Sequence, residues 1–91
     1  MIKIYELLAR YDSRASFYGK AHIKETSKYY ILISYDTEIL RQDKTSGTIQ
    51  FLCRGEWAFS QTTCRHINEF LKQYTNEKSK TKKQLLKMAR G

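Results

Sequence analysis

The sequence predicts an α+β fold: a small antiparallel sheet of four or five strands, packed by one amphipathic C-terminal helix and followed by a basic tail that can form a helix. Three observations predict it. Short segments between residues 2 and 53 alternate apolar and polar side chains, as half-buried strands do. The period then changes to that of a helix over residues 60–74. The last segment, residues 75–91, is rich in lysine and poor in apolar side chains.

The length predicts one domain, because the chain has only 91 residues. We predict a single α+β domain over residues 1–74 and a basic C-terminal extension over residues 75–91. No stretch approaches the roughly 20 apolar residues of a membrane span. The N-terminus has charges inside its apolar run, unlike a signal peptide. The two cysteines of such a chain are expected to be free thiols in an intracellular protein.

The predicted strands follow one another with short polar connections. The first covers residues 2–9, where Ile2 and Ile4 share one side. Residues 29–35 are apolar on both faces, which predicts a central strand. Gly47 closes a hairpin loop that begins at Asp43 and is expected to have positive φ. The other predicted strands cover residues 19–25, 37–41 and 48–53.

The helix over residues 60–74 has one apolar stripe and one polar side. The stripe consists of Cys64, Ile67, Phe70, Leu71 and Tyr74. The polar side, expected to face solvent, consists of Arg65, Asn68, Glu69 and Lys72. Residues 77–90 can form a second helix, in which Leu85, Leu86 and Met88 or Ala89 make a weak apolar patch. We expect fraying or disorder at least over residues 75–81.

The charge of the C-terminal segment indicates a polyanionic partner. The formal net charge of the chain is +8. Within residues 75–91 a single acid, Glu77, stands against Lys78, Lys80, Lys82, Lys83, Lys87 and Arg90. Such a run attracts polyanions because binding releases condensed counterions, and lysine favours diffuse phosphate contact over the reading of bases. A disordered, solubilising tail remains the alternative.

Three sequence blocks together resemble a family of small proteins encoded by bacteriophages and prophages and classed as a domain of unknown function. They are S-F-Y-G-K-A at residues 16–21, S-Y-D-T at residues 34–37, and Trp57 leading into T-T-C-R-H-I-N-E-F-L-K-Q at residues 62–73. The resemblance covers roughly residues 3–73. It implies a phage origin, expression in the bacterial host cytoplasm, and action by binding host machinery, including inhibition of host defence.

The sequence gives little support to catalysis or metal binding. No C-x-x-C or H-x-x-x-H pair seeds a metal site, so we predict no metal and no cofactor. Cys64 and His66 are two apart on a helix and point about 200° apart, which separates a thiol from its base. Cys64 instead suits a buried position. Pairs such as Cys53 with His22, or acids such as Asp36 and Glu38, stay open without support, and we predict that the protein is not an enzyme.

The candidate binding residues combine positive charge with aromatic rings. They are Arg10, Arg14, Tyr18, Lys20, Trp57, Arg65 and His66, together with the six basic residues of the C-terminal segment. The alternatives are that Tyr18 anchors its loop in the core, that Trp57 plugs the end of the core, and that His66 packs at the helix edge.

These residues predict a non-enzymatic phage accessory protein that binds host nucleic acid or a ribonucleoprotein through a basic, aromatic surface. The alternative is a protein-directed inhibitor of a host defence system, of the anti-CRISPR type. No membrane partner is expected, and the protein is expected to be a monomer or a homodimer.

Overall fold

A computed structural model describes residues 2–11, 19–52, 61–75 and 80–90 of the chain. Within them, five strands precede two helices, which confirms the α+β class. The strands are β1 (Lys3–Glu6), β2 (Ala21–Glu25), β3 (Tyr29–Ser34), β4 (Thr37–Asp43) and β5 (Ile49–Phe51). The helices are α1 (Gln61–Tyr74) and α2 (Lys82–Arg90). Neither helix is both long and apolar enough to cross a membrane.

The sheet is an antiparallel meander with the strand order β1-β2-β3-β4-β5. The predicted central position of β3 is confirmed. One row of paired residues crosses all five strands: Tyr5, Ile23, Leu32, Leu40 and Phe51. Because side chains alternate between faces along a strand, this row marks one face of the sheet. Gly47 has a φ of 77°, as the hairpin loop predicted.

The hydrophobic core lies between this face and the helices. Apolar side chains of the row form one cluster with Ile67, Phe70 and Leu71 of α1 and with Leu85 and Ala89 of α2. Burying each large apolar side chain contributes roughly 1.5–3 kcal/mol. The helical stripe predicted from the sequence therefore faces the sheet, and both helices lie on the same side of it.

The edge strand β1 orients its apolar residues differently. Ile2 and Ile4 are 61% and 63% exposed. Ile4 pairs beside Lys24, on the face opposite the helices. Tyr5 instead continues the row on the core face, and Leu7, just after the strand, is buried. The apolar side that Ile2 and Ile4 share is therefore a solvent-exposed side of the sheet edge.

Helix α2 is fixed to the rest of the protein at its start and along its length. The Asn68 side chain donates to the Lys80 carbonyl at 2.9 Å and accepts from the Lys80 amide at 2.8 Å. Thr81 and Gln84 form a reciprocal capping box, with bonds of 3.2 and 2.8 Å. Leu85 is fully buried.

The C-terminal segment therefore contributes more to the core than its weak apolar patch predicted. Three residues of the segment expected to fray are hydrogen-bonded: the Thr75 amide donates to the Leu71 carbonyl at 2.9 Å, and Lys80 and Thr81 make the bonds just described. The fraying itself stays a prediction. Residues 76–79 lie outside the described residues. The division of the chain at residue 75 stays a prediction.

Candidate nucleic-acid interface

Three segments form a helical layer on one side of the sheet: residues 7–11, 61–75 and 80–90. Helix α1 lies in the middle. On one flank, Glu69 accepts from the Tyr11 amide at 2.9 Å, and Gln73 donates to the Leu8 carbonyl at 2.6 Å. On the other flank, Asn68 binds Lys80. The layer is therefore held together by side-chain bonds to backbone groups as well as by the core.

The helical layer is almost purely cationic. Its only acidic residue is Glu69, which is 2% exposed. Its basic residues are Arg10, Arg65, Lys72, Lys80, Lys82, Lys83, Lys87 and Arg90. The described part of this layer thus presents no exposed carboxylate to solvent. The nearest exposed acid in sequence is Glu6, which precedes the layer and lines a groove together with Arg10.

The burial of Glu69 corrects the prediction that it faces solvent. Its Oε1 atom accepts from the Tyr11 amide, and its Oε2 atom accepts from Gln73 Nε2 at 2.6 Å. Buried carboxylates are tolerated when hydrogen bonds replace the lost water. The partner Tyr11 is 58 residues away in the sequence, so no local pattern indicated this arrangement.

The cations of the layer whose side chains the structure describes differ in exposure. Lys82, Lys83 and Lys87 of α2 are exposed, and so is Arg10. Arg65 and Lys72 of α1 are half-buried. They are seven residues apart, which places them on the same side of the helix, away from the buried stripe. Positive charge therefore extends over both helices and the segment beside α1.

The described residues of the sheet have a different electrostatic character, because bases and acids are interspersed there. Lys24 pairs with Glu38 at 3.3 Å. Lys44 pairs with Glu25 at 2.7 Å, and the hydrogen bond from Lys44 holds the Glu25 pKa below its ordinary value. The guanidinium of Arg41 lies 4.3 Å from the centre of the Tyr29 ring. These cations are engaged by neighbours within the fold.

His66 belongs to the interior, which corrects its place among the candidate binding residues. Its side chain has no exposed surface. Ser34 Oγ lies 2.8 Å from His66 Nδ1 and 3.0 Å from Thr63 Oγ1. A serine beside a histidine has the atoms of a nucleophile and its base. Here Ser34 is only 2% exposed, so the cluster joins α1 to β3 without access for a substrate.

A groove lies where β1 and the end of α1 meet. Its volume is about 150 Å³, and Arg10, Leu8 and Gln73 line it together with two tyrosines. The phenol oxygens of Tyr5 and Tyr74 are 3.2 Å apart. Burial, followed by the bond to Tyr74, raises the pKa of Tyr5, and burial raises the pKa of Tyr74. Both phenols therefore stay protonated at neutral pH.

The remaining candidate residues divide by position. Lys20 is exposed just before β2. Arg14, Tyr18, Trp57 and Lys78 lie outside the described residues, as does the side chain of Arg90. Tyr11 and Tyr35 are 59% and 48% exposed. Tyr35 was not among the sequence candidates, because tyrosine is equally common on buried strands.

Two further predictions concern the burial of Cys64 and the binding of a metal ion. The thiol of Cys64 is buried, as predicted, and burial raises its pKa. The positive charge of Lys82 lowers the Cys64 pKa by a smaller amount. The start of α2 therefore lies near the start of α1. Across the described ranges, no group of three or more His, Cys, Asp or Glu side chains could hold a metal ion.

A sequence model of the family of unknown function (DUF8033) matches residues 5–87. The chain belongs to this family. The match includes the end of β1, the strands β2 to β5, α1 and most of α2, so it takes in most of the C-terminal basic segment. No curated protein and no solved structure matches the chain.

Proposed function

We propose that this protein is a non-enzymatic binding protein that holds nucleic acid, or a complex containing nucleic acid, against its helical layer. One observation carries the proposal: the basic residues of the layer have no exposed acid among them, whereas those of the sheet are interspersed with acids. Lys82, Lys83 and Lys87 are exposed with no acid of the described layer beside them, so their charge can meet an external anion.

A polymer of phosphates suits this surface better than a single small anion. The cations are spread over two helices and residues 7–11 rather than gathered in one pocket. Each lysine that neutralises a phosphate releases a condensed counterion, so many separate contacts add to affinity. Lysine predominates, and it acts as a mobile point charge rather than as a bidentate reader of bases. The proposal is therefore binding with little sequence preference.

The proposal also includes the origin of the protein and the place in the cell where it acts. The resemblance of the three sequence blocks supports an accessory protein of a phage or prophage, acting in the cytoplasm of a bacterial host. Host nucleic acid, or a host ribonucleoprotein, is then the partner. The burial of Ser34 and His66 supports a role without catalysis, since the one serine–histidine pair of the described residues is closed to solvent.

A titration with a fluorescent oligonucleotide, with charge-reversal variants, tests the proposal. Lys83→Glu with Lys87→Glu reverses two exposed charges of α2. Lys3→Glu with Lys28→Glu makes the same charge change at exposed positions of the sheet segments. We expect the α2 variant to lose at least about tenfold in affinity at 50 mM salt, and the control to lose much less. No binding by the natural protein at low salt, or equal losses in both variants, would reject the proposal.

A protein target is the second candidate, and a separate observation favours it. Five large hydrophobic residues within residues 2–11 are exposed: Ile2, Ile4, Tyr5, Leu8 and Tyr11. An edge strand with exposed apolar neighbours is suited to contact with another protein. In this proposal the chain inhibits a host defence protein. Capture of one host protein that persists after nuclease treatment, and that is lost on Ile4→Lys, supports it; a nuclease-sensitive capture opposes it.

A further inference from the structure

Tyr35 has an unfavourable backbone conformation. It lies in the turn between β3 and β4 with a φ of 57°, in the left-handed region. Side chains with a Cβ are disfavoured there, and glycine or asparagine is the usual occupant. Among the described residues, Tyr35 is the one non-glycine residue with positive φ. Such outliers are retained where something else over-determines them, often a binding function.

The interactions of Tyr35 within the fold do not require a tyrosine. Its amide donates to the Lys20 carbonyl at 2.7 Å, which any residue but proline would do. Its ring lies 6.0 Å from the His66 ring at a tilt of 46°, and the side chain remains 48% exposed. A large part of the ring is therefore available to a ligand, beside the exposed Lys20.

Tyr11 offers a second exposed ring on the same side of α1. Its amide is bound to Glu69, and Tyr35 lies against His66. Positions 66 and 69 are three residues apart, so they are neighbours on one side of the helix, separated by about 4.5 Å along its axis. Tyr11 also follows the exposed Arg10, as Tyr35 adjoins Lys20. Two ring-and-cation pairs thus follow one flank of α1.

We propose that Tyr35 and Tyr11 are stacking positions for unpaired bases, so that the protein prefers single-stranded nucleic acid over duplex. The inference rests on the proposed function and specifies its substrate. Base stacking on an aromatic ring needs a free base face, which a duplex does not offer away from its ends. The adjoining Lys20 and Arg10 contact the phosphates on either side of the stacked bases.

Anisotropy titrations with three equally labelled ligands test the inference: an oligothymidine, an abasic strand of the same length, and a duplex. The abasic strand keeps the phosphates and lacks the bases. We expect the oligothymidine to bind most tightly. Tyr35→Asn, which suits positive φ, should lower oligothymidine affinity by about 5-fold to about 150-fold and leave abasic affinity unchanged. Tyr11→Ala should do the same, and Tyr35→Phe should retain binding.

The outcomes separate this inference from the proposed function. If the natural protein binds neither single strand at low salt, the proposed function fails. If it binds but Tyr35→Asn binds oligothymidine as tightly, or weakens the abasic strand equally, the stacking inference fails alone. Duplex binding as tight as oligothymidine binding also overturns it. Tyr29→Ala, on the opposite face of the sheet, is the control and should leave oligothymidine affinity unchanged.

Discussion

The helical layer and the sheet use the same residue types for different purposes. In the sheet, Lys24 and Lys44 pair with Glu38 and Glu25, and the surface is close to charge balance. In the described residues of the helical layer, the one acid is buried, and Arg10, Lys82, Lys83 and Lys87 are exposed. Net charge alone would not distinguish these two regions. The comparison shows that the location of the acids, rather than the number of lysines, separates a cation that serves the fold from one available to a partner.

A cationic layer has to be held in place by something other than its charges. Like charges within one small surface repel each other and weaken the compact state. The structure offsets this repulsion with buried apolar side chains such as Leu85, with the Ser34–His66–Thr63 cluster, and with the cap at Thr81. The following predictions test these attachments and then the paired charges of the sheet.

The largest expected effect is that of Leu85→Ala. Leu85 is fully buried in the common core, so its truncation leaves a cavity and should destabilise the fold by about 2–5 kcal/mol. Chemical denaturation measures the change. Lys83→Ala, two residues away in α2 and exposed, should change stability by no more than about 0.5 kcal/mol. A Leu85→Ala protein as stable as the natural one would mean that α2 does not contribute to the stability of the core.

Ser34→Ala tests the buried polar cluster. Its loss removes the partner of both His66 Nδ1 and Thr63 Oγ1. Leaving buried polar groups without that partner should cost about 1–3 kcal/mol in the free energy of unfolding. Ser27→Ala, at an exposed position between β2 and β3, is the matched control and should be nearly silent. If Ser34→Ala and Ser27→Ala changed the free energy of unfolding equally, the buried cluster would not help to attach α1 to the sheet.

Thr81→Ala tests the start of α2. The hydroxyl of Thr81 accepts from the Gln84 amide, and its loss should destabilise the protein by about 0.5–2 kcal/mol. Hydrogen exchange should show the change locally, as faster exchange of α2 amides with little change in the sheet. Thr45→Ala in the exposed hairpin loop should leave α2 exchange unaltered. Uniform acceleration throughout the chain would contradict a local cap.

The smallest effect concerns the paired charges of the sheet. Lys44 lowers the Glu25 pKa below its ordinary value of 4.5. A carboxyl with a lowered folded pKa stabilises the fold above its unfolded pKa, and the contribution is lost as pH falls through the folded value. Carbon-detected NMR titration should therefore show the Glu25 pKa rising in Lys44→Gln. An unchanged pKa would mean that the pair is not formed in solution.

The parts of the fold that depend on residues close together in the chain could be predicted from the sequence. Alternation predicted the half-buried strands, apolar residues on both faces predicted the central position of β3, and the period of 3.6 predicted α1. The start of α2 was also accessible, because Thr81 and Gln84 have the spacing of a capping box. The sequence interpretation did not use that signal, and it underestimated Leu85 because two apolar turns of helix are weak evidence without a partner surface.

The site depends on distant contacts, and these had no local signal. Glu69 has the position of a solvent-facing residue in α1, yet it is buried by the backbone of Tyr11. His66 has the position of a surface histidine, yet it is buried and forms a hydrogen bond with Ser34 of β3. The φ of Tyr35 follows from the turn between β3 and β4. The basic binding surface therefore stays a prediction, and no local signal indicated which residues lie on it.

The most direct test of the account is an NMR titration of the labelled protein with an oligothymidine at low salt. The account predicts amide shift changes concentrated in residues 7–11, in the outer side of α1 and in α2, and their loss as salt is added. Changes centred on Lys24 and Arg41, on the opposite face of the sheet, would contradict it, and so would an unchanged spectrum at saturating oligonucleotide.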